Sequence, residues 1–379
     1  MTNLLHNTFE YLSSKVTSQS NTNQEEHFEN KNIQFINNLS QQKLNKYDKN
    51  CFFSMYGLFC LLEMLKNGTY EVSEIHEALK ELMDDQNIMN IAKTNDIFKN
   101  TSLIFHASYL DLSDKFSEYL KANNIFCDSI DMSKLQQRID QINQTVSEMT
   151  NDKIKNPLDP NDFDLDFVML LINVLYFRAD WSKKFYEATT KKILFKNGKN
   201  VKIDMMTMLH EDYNYYESNT CQYISLPYTN YSYKMVVALP KEDKYLNSVN
   251  LEEALQNMRL CTVTTLMLPK FRIEQTEELN EECTNMGLGK MFVPSNDFDL
   301  MFKNSIAPKY IKKIKQKTFI NVDENGTEAA AVTYAIMNCE SLRKRQKRKE
   351  VEFIADHPFS FFVMGPRDIV LFAGKFYNY

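Results

Sequence analysis

The chain has 379 residues, 43% of them hydrophobic, enough for a substantial core in one large domain or two ordinary ones. A formal charge of −6 argues against general affinity for nucleic acid or for a membrane surface. No apolar run reaches the roughly 18 residues of a membrane span, and the first twenty residues lack the basic start and apolar stretch of a signal peptide.

The first thirty or so residues, ending in SNTNQEEHFENKN, read as a short helix with a polar extension, so residues 1–33 are set apart from a single domain over 34–379. Cys51–Lys66 is apolar nearly all round and reads as one buried helix stopped by Gly68. Ser73–Met83 and Gln136–Thr150 carry helical period. Asn100–Phe105 and Phe167–Phe177 read as strands, the second apolar on both faces and hence central in a large sheet. Strands alternate with turns over Val201–Pro240 and Thr262–Ile273. Gly287-Leu288-Gly289-Lys290 lacks the first glycine and the Ser/Thr of a phosphate loop, and reads as a helix-ending turn. Tyr310–Thr318, YIKKIKQKT, reads as a strand approach with exposed lysines. The chain closes with two strands joined by a turn at Pro366.

Enzyme chemistry finds no support in this pattern. There is no G-x-S-x-G elbow, no H-E-x-x-H or paired histidine, and the seven cysteines (51, 60, 127, 221, 261, 283, 339) show no metal spacing. No catalytic residue, metal or cofactor is therefore expected. Dispersed cysteines in odd number read as reduced thiols of a cytoplasmic protein.

One stretch stays unexplained, "VDENGTEAAAVTYAIMNCESLRKRQKRKE", Val322–Glu350. A turn at Glu324-Asn325-Gly326 opens a run of small residues, and Arg343–Lys349 then places six cations in seven residues. As a strand, the run shows Thr327, Ala329, Ala331 and Thr333 on one face, with Glu328, Ala330 and Val332 on the other. The first face is small and uncharged, fit to slide into a sheet, and Gly326 offers the unusual backbone angles of a hinge. Alanine is also the best helix former, so composition alone leaves a surface helix open.

The stretch Glu324–Ala331 resembles the hinge of inhibitory serpins. So do, in family order, Asn50–Ser54, Asn173–Phe177 with Trp181, Leu226-Pro227-Tyr228, Leu268–Phe271, Asp356–Phe359 and Leu371–Gly374, and the resemblance runs over about residues 34–377. The phrase EFIADHPF resembles the poxvirus branch. Met55 replaces a family proline, Gln316 replaces a histidine of the sheet gate, and the loop is about five residues longer than usual.

The resemblance implies an α+β serpin fold: a large mixed central sheet, two smaller sheets, eight to nine helices and an exposed reactive-centre loop at about 324–352. It implies a monomeric suicide inhibitor of a serine protease, held in a covalent complex with its target, with crossing to cysteine proteases as an alternative. The hinge would be Glu324, Gly326, Thr327, Glu328, Ala329, Ala330, Ala331 and Thr333; the sheet gate and breach would be Ser54, Asn173, Trp181 and Gln316. Family spacing puts the scissile bond at Glu340-Ser341, with Cys339, Arg343 and Arg345 as alternative sites. The basic run also fits a solvated loop, a nuclear signal or a polyanion site at Arg343–Lys349. A viral modulator of host proteases, working in the host cytoplasm or outside the cell, is one reading. A non-inhibitory binding or scaffold protein is the rival, against which the small residues at 327 and 329–331 count.

Overall fold

A computed structural model describes residues 21–83, 92, 95–149, 154–164, 166–197, 199, 201–303, 307–327 and 348–377. Among these lie seven α-helices: α1 (Asn21–Leu44), α2 (Met55–Lys66), α3 (Glu74–Met83), α4 (Asp114–Ala122), α5 (Leu135–Met149), α6 (Leu251–Asn257) and α7 (Asn280–Cys283). The eight to nine expected are thus too many for the described residues; several short connections close as single 3-10 turns instead of α-helix.

The apolar run at 51–66 is not one helix. Cys51–Phe53 forms strand β1, and helix α2 begins only at Met55. Ser54 makes the switch: its backbone is extended (φ −134°, ψ 107°) and its Oγ accepts the N–H of Gly57 at 2.9 Å. Both elements are buried on every side, so no periodicity marks the boundary. In α3, by contrast, Ile75, Leu79 and Met83 form one buried stripe at i, i+4, i+8, as the sequence predicts.

The remaining strands are β2 (Phe98–Ala107), β3 (Asp111–Leu112), β4 (Phe126–Ile130), β5 (Met169–Phe177), β6 (Ala179–Asp180), β7 (Lys191–Phe195), β8 (Val201–Glu217) and β9 (Cys221–Pro227). After them come β10 (Lys234–Pro240), β11 (Arg259–Pro269), β12 (Phe271–Glu278), β13 (Phe302–Lys303), β14 (Ile311–Val322), β15 (Gly326–Thr327), β16 (Glu350–Ile354), β17 (Phe359–Met364) and β18 (Val370–Phe376). Nine of them form one sheet in the order β1-β18-β17-β10-β9-β8-β11-β16, with β7 beside β8. The two smaller sheets expected are joined into this one because β8 is continuous through 17 residues, turning at His210 (φ 52°). Its first part pairs with β7 and its last with β9.

The second large sheet has seven strands, β4-β2-β5-β14-β15-β6 with β12 beside β14. Here β5 lies buried on both faces, as expected of a central strand. Leu171, Leu175 and Phe177 enter the main core; Leu170, Ile172 and Val174 join a second core with Ile139, Ile142 and Val146 of α5 and Phe319 of β14. Gly287 (φ 88°) ends a helical turn, bearing out the turn read at that site. Lysines 315 and 317 are not exposed as expected: Lys317 is buried and Lys315 partly so, because a chain segment after α5 covers that face of β14.

Candidate functional site: a parallel seam with a wedge at its top

Strands β5 and β14 run parallel and pair directly, from Met169↔Ile311 to Tyr176↔Phe319. No third strand lies between them along this stretch. At the end of the seam the two chains part. Thr327 then pairs with Val322 of β14 on one side and with Ala179 of β6 on the other. Gly326–Thr327 is therefore a two-residue strand already seated between the two sides of the sheet, and Thr327 is fully buried.

Backbone proximity explains Gly326. It does not adopt the positive φ expected of it; Gly287 is the glycine that does. A Cβ at Gly326 would instead lie 2.2 Å from the carbonyl oxygen of Ala179. The turn before it is built by Asp323, whose Oδ1 accepts the N–H of Asn325 at 2.9 Å and of Gly326 at 3.3 Å.

Four side chains fix the wedge. Trp181, stacked on Tyr228 at 4.6 Å between ring centres, donates Nε1–H to the Asp323 carbonyl at 3.0 Å. Its backbone N–H donates to the Asn325 carbonyl at 2.9 Å. The Tyr228 hydroxyl lies 2.6 Å from Oγ1 of Thr327. Burial pushes the Tyr228 phenol well above its ordinary value, so the hydroxyl stays protonated. Glu324 accepts from Thr190 Oγ1 at 2.7 Å and pairs with Lys270 Nζ at 2.7 Å. Burial alone would raise the Glu324 carboxyl, but the hydrogen bonds from Lys270 and Thr190 outweigh it and hold it below the usual range. Asp323 beside it moves the other way, because burial exceeds the effect of its two backbone donors.

Lower in the seam, Gln316 of β14 meets the cap of α2. Its Oε1 accepts the Ser54 N–H at 2.7 Å; its Nε2 donates to the Ser54 carbonyl at 2.8 Å and to Asn173 Oδ1 at 3.2 Å. Asn173 Nδ2 donates to Asn100 Oδ1 at 2.6 Å, and Ser54 Oγ to the Leu371 carbonyl at 2.5 Å. Gln316 supplies a donor and an acceptor at once from one amide, and the Ser54 backbone uses both.

The structure thus brings Ser54, Asn173 and Gln316 into one buried network, while Trp181 belongs to the wedge with Glu324, Gly326 and Thr327. Glu328, Ala329, Ala330, Ala331, Thr333, Cys339, Glu340, Ser341, Arg343 and Arg345 lie outside the described residues. Sequence reasoning missed Tyr228, Lys270, Thr190 and Asn100 as members of the site. The first two sit in matched motifs, Leu226-Pro227-Tyr228 and Leu268–Phe271, and that was the available signal.

A polar cleft of about 770 Å3 opens elsewhere, among Tyr215, Tyr223, Lys241, Glu253, Arg259 and Lys349. In it Lys241 pairs with Glu217 at 2.8 Å, Tyr216 donates to Glu253 at 2.6 Å, and Arg259 donates to the Gln256 and Met258 carbonyls at 3.0 and 2.8 Å. No group of three or more metal-binding side chains occurs among the described residues.

Residues 30–379 match the family described as "Serpin (serine protease inhibitor)". The chain is 30% identical to a leukocyte elastase inhibitor of Xenopus tropicalis over 366 residues, covering 88% of this chain and 94% of that one. It is 28% identical to Serpin B6 of Pongo abelii over 362 residues, 86% of this chain and 93% of the relative. In fold it is similar to Serpin48 of the insect Tenebrio molitor, with a TM-score of 0.79 at 24% identity, covering 93% of this chain and 98% of that one. The matched residues include the seam, the wedge and both flanks of the loop, and the chain belongs to the serpin family.

Proposed function

We propose that this chain inhibits a protease by trapping it, with the loop between β15 and β16 as bait. The observation that carries this reading is the seated wedge: Gly326–Thr327 occupies the top of a seam whose two strands, β5 and β14, are otherwise paired directly. The chain beyond Thr327 continues EAAAVT, small enough to follow the wedge downward.

In this reading the nucleophile of the target attacks the carbonyl of Glu340 and expels the amine of Ser341, leaving an acyl-enzyme. The freed arm then adds to the sheet as an antiparallel strand between β5 and β14. About 15 residues at ~3.3 Å each carry the acyl group on the order of 50 Å. Trapping succeeds when insertion outruns attack of water on the acyl bond. Cleavage after Arg343 or Arg345 is the alternative, and it would direct the inhibitor at enzymes with an acidic specificity pocket. The names of the relatives favour serine proteases such as elastase as the target class. Action as a monomer inside a cell belongs to the same proposal.

Incubation with a panel of proteases tests it. A covalent complex should persist on a denaturing gel, and the released peptide should have the mass of residues 341–379. The nicked protein should melt ~20 °C higher, from about ten new ladder hydrogen bonds at ~1 kcal/mol and ~2 °C per kcal/mol. Equal melting temperatures for nicked and intact protein overturn the proposal.

A further inference from the structure

Arg343–Lys349 places six cations in seven residues, and the last two lie among the described residues. Both dock on β8. The Arg348 guanidinium pairs with Oδ2 of Asp212, the two side chains being 30% and 21% exposed. Oδ1 of the same carboxylate accepts the hydroxyl of Thr262, its cross-strand neighbour on β11, at 2.8 Å. Lys349 lies over the Tyr215 ring, 6.0 Å from its centre, and its carbonyl accepts the Thr262 N–H at 3.0 Å. One residue on, Glu350 opens β16 as the partner of Thr262. Thr262 therefore acts twice: its hydroxyl aims Asp212 and its amide holds Lys349.

In sequence, Arg345-Gln346-Lys347-Arg348 fits the R-x-K-R pattern cut by proprotein convertases, and Arg348 suits any enzyme with an acidic specificity pocket. Such an enzyme needs the arginine side chain in its own pocket and extended backbone on both sides of the bond. Here the guanidinium already sits on a carboxylate, and the residue after the bond is tied into the ladder of β11. The Arg348-Lys349 bond is open to attack only in the fraction of molecules that have broken both contacts.

The position of this bond matters for trapping. Arg348 stands eight residues beyond Glu340. An arm cut there carries ~26 Å of extra chain, at ~3.3 Å per residue, between the inserted strand and the acyl group. A protease on so long a tether is not pressed against the inhibitor, and water completes hydrolysis of the acyl bond. Cleavage at Arg348 uses up the chain and captures nothing.

We propose that Asp212, aimed by Thr262, guards the Arg348-Lys349 bond and so confines productive attack to the loop upstream of it. This rests on the bait-loop reading and deepens it: specificity is set in part by a residue of β8, outside the loop.

Limited digestion of the full chain with trypsin and, separately, with a proprotein convertase tests the guard, with released peptides identified by mass. The readout is the initial rate of release of residues 349–379 relative to that of 344–379 and 346–379, which arise from cuts outside the pin. In D212N this ratio should rise about tenfold, since one charge-assisted hydrogen bond is worth about a decade in the open population. D212E, which keeps the carboxylate, should stay near the parent. Added salt should raise the ratio in the parent and leave D212N flat. T262V, which loses only the aiming hydroxyl, should rise by less, and it carries the test if D212N fails to accumulate as folded protein. A general loosening of the sheet would release every peptide faster at an unchanged ratio. Equal ratios in parent and variants overturn the guard and leave the trapping reading standing. Covalent protease retained on chains cut after Arg348 overturns the tether argument and, with it, the need for a guard. A raised ratio in D212N, with no covalent complex from any protease, upholds the guard and overturns trapping.

Discussion

The sheet around β17 and β18 and the seam between β5 and β14 are both buried, yet different chemistry holds them. Every residue of β17 and β18 is buried, and their aromatic rings interlock: Phe52 stacks on Phe372 at 4.8 Å, and Phe361 meets Phe271 at 5.0 Å. The charged residue there, Lys375, is tied down by the Tyr47 carbonyl at 2.7 Å and Asn247 Oδ1 at 2.9 Å, and burial holds its pKa below the lysine value. The seam has its own backbone ladder and the apolar packing of β5, and to these it adds polar ties from Gln316, Asn173, Ser54 and the lysines of β14. Apolar packing cannot be parted without exposing its surface to water. Amide and lysine contacts can be exchanged for others when a new strand brings its own donors and acceptors. On the insertion reading, strength and replaceability are divided between two sheets of one molecule.

The largest effect should come from the sheet of β17 and β18. Phe361→Ala removes a ring packed against Phe52, Phe271 and Phe359 and should cost about 3–5 kcal/mol. The loss should be the same in intact and nicked protein, because on the insertion reading this sheet does not change between them. Denaturant melts of both forms check it; a loss confined to the intact form would break the division just drawn.

Gln316→Ala should behave oppositely. It strips the buried Ser54 N–H of its partner and leaves the Ser54 carbonyl only the Leu58 N–H at 3.3 Å, and should cost about 1–3 kcal/mol in the intact form. The nicked form, with a strand beside β14, should lose less, so the gap between the two melting temperatures should widen. Gln316→His, which keeps a donor and an acceptor, should restore most of the difference.

These two substitutions also mark how far the sequence could be read. Phe361 lies in a run whose apolar character and turn at Pro366 already read as paired strands, and β5 was legible as central because both its faces are apolar. Gln316 and Asn173 entered through family resemblance alone, since nothing in their local pattern brings residues 143 positions apart into contact. Lysines in YIKKIKQKT look like a solvated strand because charge normally seeks water; what buries them is a segment some 150 residues earlier. The break between β1 and α2 is hidden for a different reason, being apolar on both sides of Ser54.

Acid should sharpen the contrast at the wedge by a smaller amount. The Glu324 carboxyl titrates lower in the folded protein than its ordinary value, so it adds stability above the unfolded pKa of roughly 4.3, and that contribution is lost as pH falls through the lower folded value. Asp323, raised by burial, has the opposite sign, its contribution present at low pH and lost as pH rises through its folded value. Glu324→Gln should cost about 1 kcal/mol at neutral pH, modest because Lys270 is partly exposed and screened. It should also flatten the acid limb of a stability–pH curve measured by urea melts. An acid limb as steep as the parent's would mean that other carboxylates, not the wedge, govern acid sensitivity.

Tyr228→Phe should give the smallest change and the most local one. The variant keeps the ring that stacks on Trp181 and removes only the hydroxyl held by Thr327 Oγ1, at a cost of about 1 kcal/mol or less. Thr327 is buried in that spot, so its own hydroxyl is left without this partner and the wedge should loosen where the strand begins. Trp181 is the chain's single tryptophan, and its emission reports on this point without any label. The expected result is a shifted Trp181 emission maximum and faster uptake of an added peptide copying residues 327–338, while the melting of nicked protein moves by less than that of intact protein. If uptake is unchanged although the emission shifts, the hydroxyl pair holds the wedge in place without limiting how far it travels, and control of insertion lies lower in the seam.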